Sequence, residues 1–267
     1  MLQIFQYDFM IRAFIAGLII GVLAPAIGVF LVVRRYSLLA DTLSHVSLVG
    51  VSAGVLFGFN PILGALVVSS AAAFGMERLR ESRKIFGESI LALFLSGSLA
   101  LALVLLSLSH GLNVNVFSYL FGSITTVTNQ DLLIIGLFGL LVLVTVLGLF
   151  KKFFLVSYDE ELAKANGLPV RFLNVTLMVL AAVTVSLSMR VVGVLLIGAL
   201  MVIPVLTATQ FGTSFLKTAV YAVGLSLAAV IIGLFSSFYL NLPSGATIVV
   251  TALIFFGLSL LFNKKSY

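Results

Sequence analysis

The chain has 267 residues, 61% of them hydrophobic and only 9% charged, with a mean hydropathy of +1.27. A water-soluble domain must still present a polar exterior, so this composition excludes one and points to a polytopic membrane protein. The lack of cysteine excludes disulfides and thiolate metal sites, and the net charge of +6 fits basic cytoplasmic loops better than a nucleic-acid surface.

Nine apolar stretches follow one another, and no polar segment between them is long enough for a second domain. Residues 1–267 therefore read as one all-α transmembrane domain. The opening "MLQIFQYDFMIRAF" lacks a basic n-region and a small-residue cleavage site, so the first stretch, 13–33, is expected to be an uncleaved span. Pro25 should kink or interrupt it.

"RRYSLLADTLSHVSLVG" then breaks the apolar pattern and leads into the second stretch, 38–58. Asp41 lies roughly 9 Å beyond Arg35 along a helix, and His45 roughly 6 Å deeper. On this map Asp41 is the one acidic residue placed within a span. Ionisable groups at such depth cost at least about 3 kcal/mol and face a cavity or a partner. Helical phase puts Asp41, His45, Leu48 and Ser52 on one face, while Gly50, Gly54 and Gly58 form a small-residue stripe on the other. A carboxylate oxygen and an imidazole nitrogen one turn apart can hold a divalent cation, best Zn²⁺ and acceptably Mn²⁺ or Fe²⁺. A second reading stays open: Asp41 caps the helix or pairs with Arg35, and His45 is a satisfied buried histidine. Either way, two donors do not complete a shell.

The third stretch, 61–76, is short, and the fourth, 88–109, begins at Glu88 and is followed by His110, read as a solvated loop histidine. The half-apolar segment 110–130 is expected to hold a short interfacial helix at about 115–123. After the fifth stretch, 131–150, comes "KKFFLVSYDEELAKANGLPVR", the longest polar segment. Asp159, Glu160 and Glu161 suit a helix N-terminus, and Gly167 with Pro169 stops it, so a short helix is expected near 157–169. The remaining stretches are 172–189, 191–211 with Pro204 inside it, 216–240 and 246–262. The boundary at Arg190 is soft, which leaves eight spans as the alternative count.

If Arg34 and Arg35 are cytoplasmic and sides alternate, all basic residues except Arg12 and Arg190 fall inside. The positive-inside rule thus sets the N-terminus out and the C-terminus in. The sequence has no "GK" dipeptide, hence no phosphate loop of that type, and no H-E-x-x-H zinc-protease motif.

Five segments carry a resemblance. "LVVRRYSLLADTLSHVSLVGVSAG", "VNVFSYLFGSITTVT", "YDEELAKANGLPV", "VVGVLLIGALMVIPVLTA" and "LPSGATIVV" occur in order along nearly the whole chain. They resemble the permease subunits of bacterial ABC importers for zinc, manganese and iron, with the first block leaning toward zinc permeases. A departure follows Pro204, where Val205 and Leu206 replace the alanine pair often found in that family.

The resemblance implies an all-α pore of the vitamin B12-importer type in the bacterial cytoplasmic membrane, built from two copies. It also implies a cytoplasmic ATPase dimer and an extracytoplasmic metal-binding protein as partners. In that family the D-x-x-x-H pair contacts the transported ion, which falls here on Asp41 and His45. Tyr158, Asp159, Glu160, Glu161 and Gly167 fall on the segment that couples to the ATPase. No cofactor and no catalytic residue are implied, and the metal is cargo. Two competing readings are a stand-alone carrier with Asp41 as proton relay, and an intramembrane lipid-modifying enzyme with His45 as base. The coupling-like segment argues against the first, and the scarcity of convergent polar residues against the second.

Overall fold

The computed structural model describes residues 2–82, 86–108, 116–123 and 125–262. After a short 3₁₀ turn at Leu2–Gln6, the described residues form α1 (Asp8–Val33), α2 (Leu38–Phe57), α3 (Pro61–Glu81) and α4 (Gly87–Leu108). There follow α5 (Val116–Phe121), α6 (Asn129–Tyr158), α7 (Glu160–Ala165) and α8 (Val170–Ser188). The chain closes with α9 (Ile197–Thr209), α10 (Phe215–Leu240) and α11 (Ser244–Phe262). Eight of these helices are long and apolar enough to cross a membrane, and α9, with 13 residues, is a shorter apolar ninth.

Every predicted stretch contains a helix, but several helices outrun theirs. Apolarity marks the part that meets hydrocarbon, whereas a helix continues until its backbone bonds are capped. Thus α6 opens on a capping box between Thr128 and Asp131 and runs to Tyr158, not residue 150. Helix α3 continues to Glu81, not 76, and carries Glu77 fully buried within it, which corrects the placing of Asp41 as the one acidic residue inside a span. The prolines do not interrupt their helices, since α1 passes through Pro25 and α9 through Pro204.

The seventh stretch departs furthest from expectation. Residues 189–196 are irregular, and the helix starts only at Ile197. This segment pairs with the end of α5 instead: Val194 N–H donates to the Tyr119 carbonyl at 2.9 Å, and Leu195 N–H to that of Leu120 at 3.1 Å. Ser123 N–H donates in turn to the Arg190 carbonyl at 3.1 Å. Gly193 and Gly122 make the approach possible, each with positive φ and each lying where a Cβ would strike the facing backbone. Apolar composition could not reveal the break, because the irregular run buries Val191, Val192 and Val194 as a span would.

Helix α1 packs on α6, α8, α9 and α10, with Gly28 set against the Met201 carbonyl of α9. Phe30 is fully buried among Phe150, Phe153 and Phe215, at centroid distances of 5.4, 5.7 and 5.5 Å. Helix α2 packs on α3, α4, α8 and α9. The expected small-residue stripe holds at Gly50, which meets the Gly64 backbone of α3, and at Gly54, which meets Pro61. Gly58 is different: it ends α2 with φ +73 and has no neighbour within 4 Å of its absent side chain. Ser47, Ser69 and Ser186 tie α2, α3 and α8 together by buried hydroxyl contacts of 3.0 and 2.8 Å.

Candidate functional site

Asp41 and His45 stand one turn apart near the start of α2, both half-buried and within electrostatic reach of each other. The turn that delivers them runs from Arg34 to Ser37, with Arg35 in the left-handed conformation at φ 60. Neither capping nor an Arg35 pair accounts for Asp41. Ser37 is the cap residue, and no ion pair reaches Asp41 among the described residues. Its carboxylate instead lies directly over Gly198, where any Cβ would collide with it.

His45 is not a satisfied histidine either. Its Nδ1 is buried and has no hydrogen-bond partner among the described residues, an arrangement that costs about 1–3 kcal/mol unless something engages it. No third His, Cys, Asp or Glu joins the pair among the described residues. One protomer therefore offers one oxygen and one nitrogen donor on a common face. Of the other two residues assigned to that face, Leu48 is buried in a cluster with Tyr119, Met189 and Val194, and Ser52 bonds back to the Leu48 carbonyl. His110 lies outside the described residues.

At the basic end of the bundle, Asp159 closes α6 and caps α7, accepting from the N–H groups of Glu161 and Leu162, both at 2.9 Å. Gly167, at φ +72, turns the chain out of α7 toward α8. The two glutamates expected to act alike face different ways. Glu161 is exposed and pairs with Lys164 at 3.1 Å, and Tyr158 is also exposed. Glu160 turns into the protein, accepting from Arg80 of α3 at 3.0 Å and from Asn174 of α8 at 2.9 Å.

A clasp grows from that contact. Arg80 also donates to both oxygens of buried Glu77, at 2.8 and 2.6 Å, while Arg34 donates to Ser157 and Asn174. Four elements, α1, α3, α6 and α8, are thereby tied to α7. Partial burial pushes the Glu160 carboxyl up, but Arg80, the Asn174 hydrogen bond and Arg34 outweigh it and hold the group below its ordinary value. Arg34, Glu77, Arg80 and Asn174 were not picked out from sequence. Arg34 and Arg80 read as topology charges, and only the Glu77/Arg80 spacing in "MERLRE" hinted at a pair.

At the other end, Arg190 lies over the Tyr119 ring at 4.8 Å, donates to the Thr126 carbonyl at 3.3 Å and sits 3.6 Å from buried Asp131. The short helix expected at 115–123 is α5, and this group holds its end against the irregular run before α9.

A family model described as the ABC 3 transport family matches residues 6–263. The chain belongs to that family. Its relatives among curated proteins include the manganese transport system membrane protein MntC of Listeria monocytogenes, 31% identical over 97% of this chain and 92% of that one. The high-affinity zinc uptake system membrane protein ZnuB of Haemophilus influenzae is 29% identical, covering 97% of this chain and 100% of the relative. Among solved structures, PsaBC from Streptococcus pneumoniae in complex with Fab superposes with a TM-score of 0.86 at 31% identity, over 97% of this chain and 92% of that one.

As an ABC 3 permease the chain is a multi-pass membrane protein and a transport subunit, not an enzyme. It is the permease of an ABC importer for a divalent metal, a class that works with an ATPase and a binding protein. Family membership sets aside both the stand-alone carrier and the lipid-modifying enzyme.

Proposed function

We propose that the imported ion is zinc, that it passes between two copies of the chain, and that Asp41 and His45 are its contacts. The observation that carries this reading is the pair itself: among the described residues, a carboxylate with no ion-pair partner beside an imidazole whose buried Nδ1 has no hydrogen bond, on one face of α2. Two copies related by a two-fold axis supply two oxygens and two nitrogens, enough for a tetrahedral shell. An ion that must leave again is held weakly, and a shell assembled across an interface can open. Imidazole disfavours Mg²⁺ and Ca²⁺, so His45 sets the preference for a transition metal while Asp41 supplies the charge.

Manganese is the second reading. It is supported by the name of the MntC relative and by donors that accept either ion. In both readings α7 seats in the ATPase, with Tyr158, Asp159 and Glu161 presented outward, Glu160 anchoring the helix to the spans and Gly167 setting its exit.

The test is uptake of radioactive zinc, with manganese as competitor, by proteoliposomes holding permease, ATPase and binding protein. Asp41→Asn and His45→Ala are each expected to abolish uptake while assembly with the ATPase persists, and Asp41→Glu to keep part of it. Wild-type rates in both Asn and Ala variants would remove these residues from the ion path. Stronger uptake of manganese than of zinc would decide for the second reading.

A further inference from the structure

A large cavity lies away from Asp41 and His45. Helices α6 and α10 flank α1 and leave a cleft of about 1050 Å³ between them. Val22 and Ala26 of α1 form its floor, Leu143 and Leu147 of α6 one wall, and Val220 and Val223 of α10 the other. Phe215 closes one end against Phe150 and Phe154, at 5.5 and 4.5 Å. The polar side chains of the lining, Lys151, Lys152 and Ser214, gather at that same end. All three are exposed, and neither lysine has an ion-pair partner among the described residues.

We infer that this cleft binds an anionic glycerophospholipid of the cytoplasmic leaflet, its acyl chains between α6 and α10 and its phosphate at Lys151 and Lys152. Depth supports the assignment. Asp131 near the start of α6 and Lys151 are about 30 Å apart along the helix axis, which matches the thickness of the hydrocarbon core. The lysines thus sit at the headgroup boundary, and the last turns of α6 project beyond it. The basic bias of this end assigns the boundary to the cytoplasmic side, where anionic lipids concentrate. The division of the lining, aliphatic along its length and cationic at one end, matches the division within a phospholipid. A second copy of the chain is the poorer occupant. In the function proposed above two copies meet on the side of α2, whereas this cleft opens between α1, α6 and α10.

The chain contains no tryptophan, so one introduced indole reports on its own surroundings. Val220→Trp places it on the cleft wall, and Leu137→Trp places it on α6 outside the lining, both at exposed positions. The full-length chain is reconstituted in vesicles containing brominated phosphatidylglycerol or brominated phosphatidylcholine, and quenching is compared. The expected result at Val220→Trp is a preference of about tenfold for the anionic lipid, with no preference at Leu137→Trp. Adding Lys151→Gln and Lys152→Gln should abolish the preference, and both lysines are exposed, so packing is unaffected. Equal ratios at the two indoles, a preference that survives loss of both lysines, or an indole at 220 that neither lipid quenches would overturn the proposal. None of these readouts depends on metal transport.

Discussion

Gly198 is where the Asp41 carboxylate rests, and its lack of a side chain is what allows the fit. Gly198→Ala puts a methyl group where the carboxylate oxygen now lies, so the carboxylate must turn away. Metal shells tolerate displacements of only about 0.2 Å, and uptake should fall about tenfold, with thermal stability changing far less. Uptake equal to wild type would mean that the observed rotamer of Asp41 is irrelevant to the ion. Glu160 offers a different test. Its carboxyl is held below the ordinary 4.5, so its contribution to stability is complete above that pH and drains away as pH falls through the lower, folded value. Wild type should therefore melt above Glu160→Gln at pH 7, and the gap should narrow as pH falls below the ordinary glutamate value and close below the lower, folded one. A gap that stays constant with pH would show that the lost interaction is not the charge.

Among the helices, α7 is the element whose size and position are out of proportion. With six residues it cannot hold itself together, and it persists because Asp159 caps it, Glu160 anchors it and Gly167 turns the chain away. Gly167→Pro attacks the last of these. Proline cannot adopt φ +72, and it removes the N–H that donates to the Lys164 carbonyl at 2.9 Å. The expected outcome is a permease that still reaches the membrane, fails to retain the ATPase on co-purification and loses most of its transport. Undiminished co-purification would make the α6–α8 link a plain connector. Helix α9 depends on its neighbours in the same way: its start is fixed by backbone pairing to the end of α5, made possible by Gly122 and Gly193.

For the whole molecule, orientation is the property that charge alone assigns. Single cysteines at Asn129 and Asn241 should label with an impermeant maleimide from outside, and those at Ser82 and Tyr158 only after permeabilisation. Ser157 would be a poor reporter, because it is buried and bonded to Arg34. Labelling of Tyr158 in intact cells would reverse the assignment.

The span count, the short helices at both ends and the Asp41/His45 face could be read from hydropathy and helical phase, because each follows from local spacing. The break before α9 and the clasp on Glu160 could not. Both arise where segments far apart in sequence meet, Tyr119 with Val194 and Arg80 with Glu160, and no window of sequence contains both partners. Glu77 was missed for another reason: its partner Arg80 is only three residues away, but the apolar stretch ends at 76 while the helix runs on to Glu81.

That the described residues of one chain bring only two donors together has a genetic consequence. If the ion is gripped by both copies, a cell expressing wild-type permease together with an Asp41→Asn copy builds mixed pairs in which half of the carboxylates are missing. The defective allele should then be dominant, depressing metal-limited growth in proportion to its dosage. A recessive allele would assign a complete ion path to each subunit.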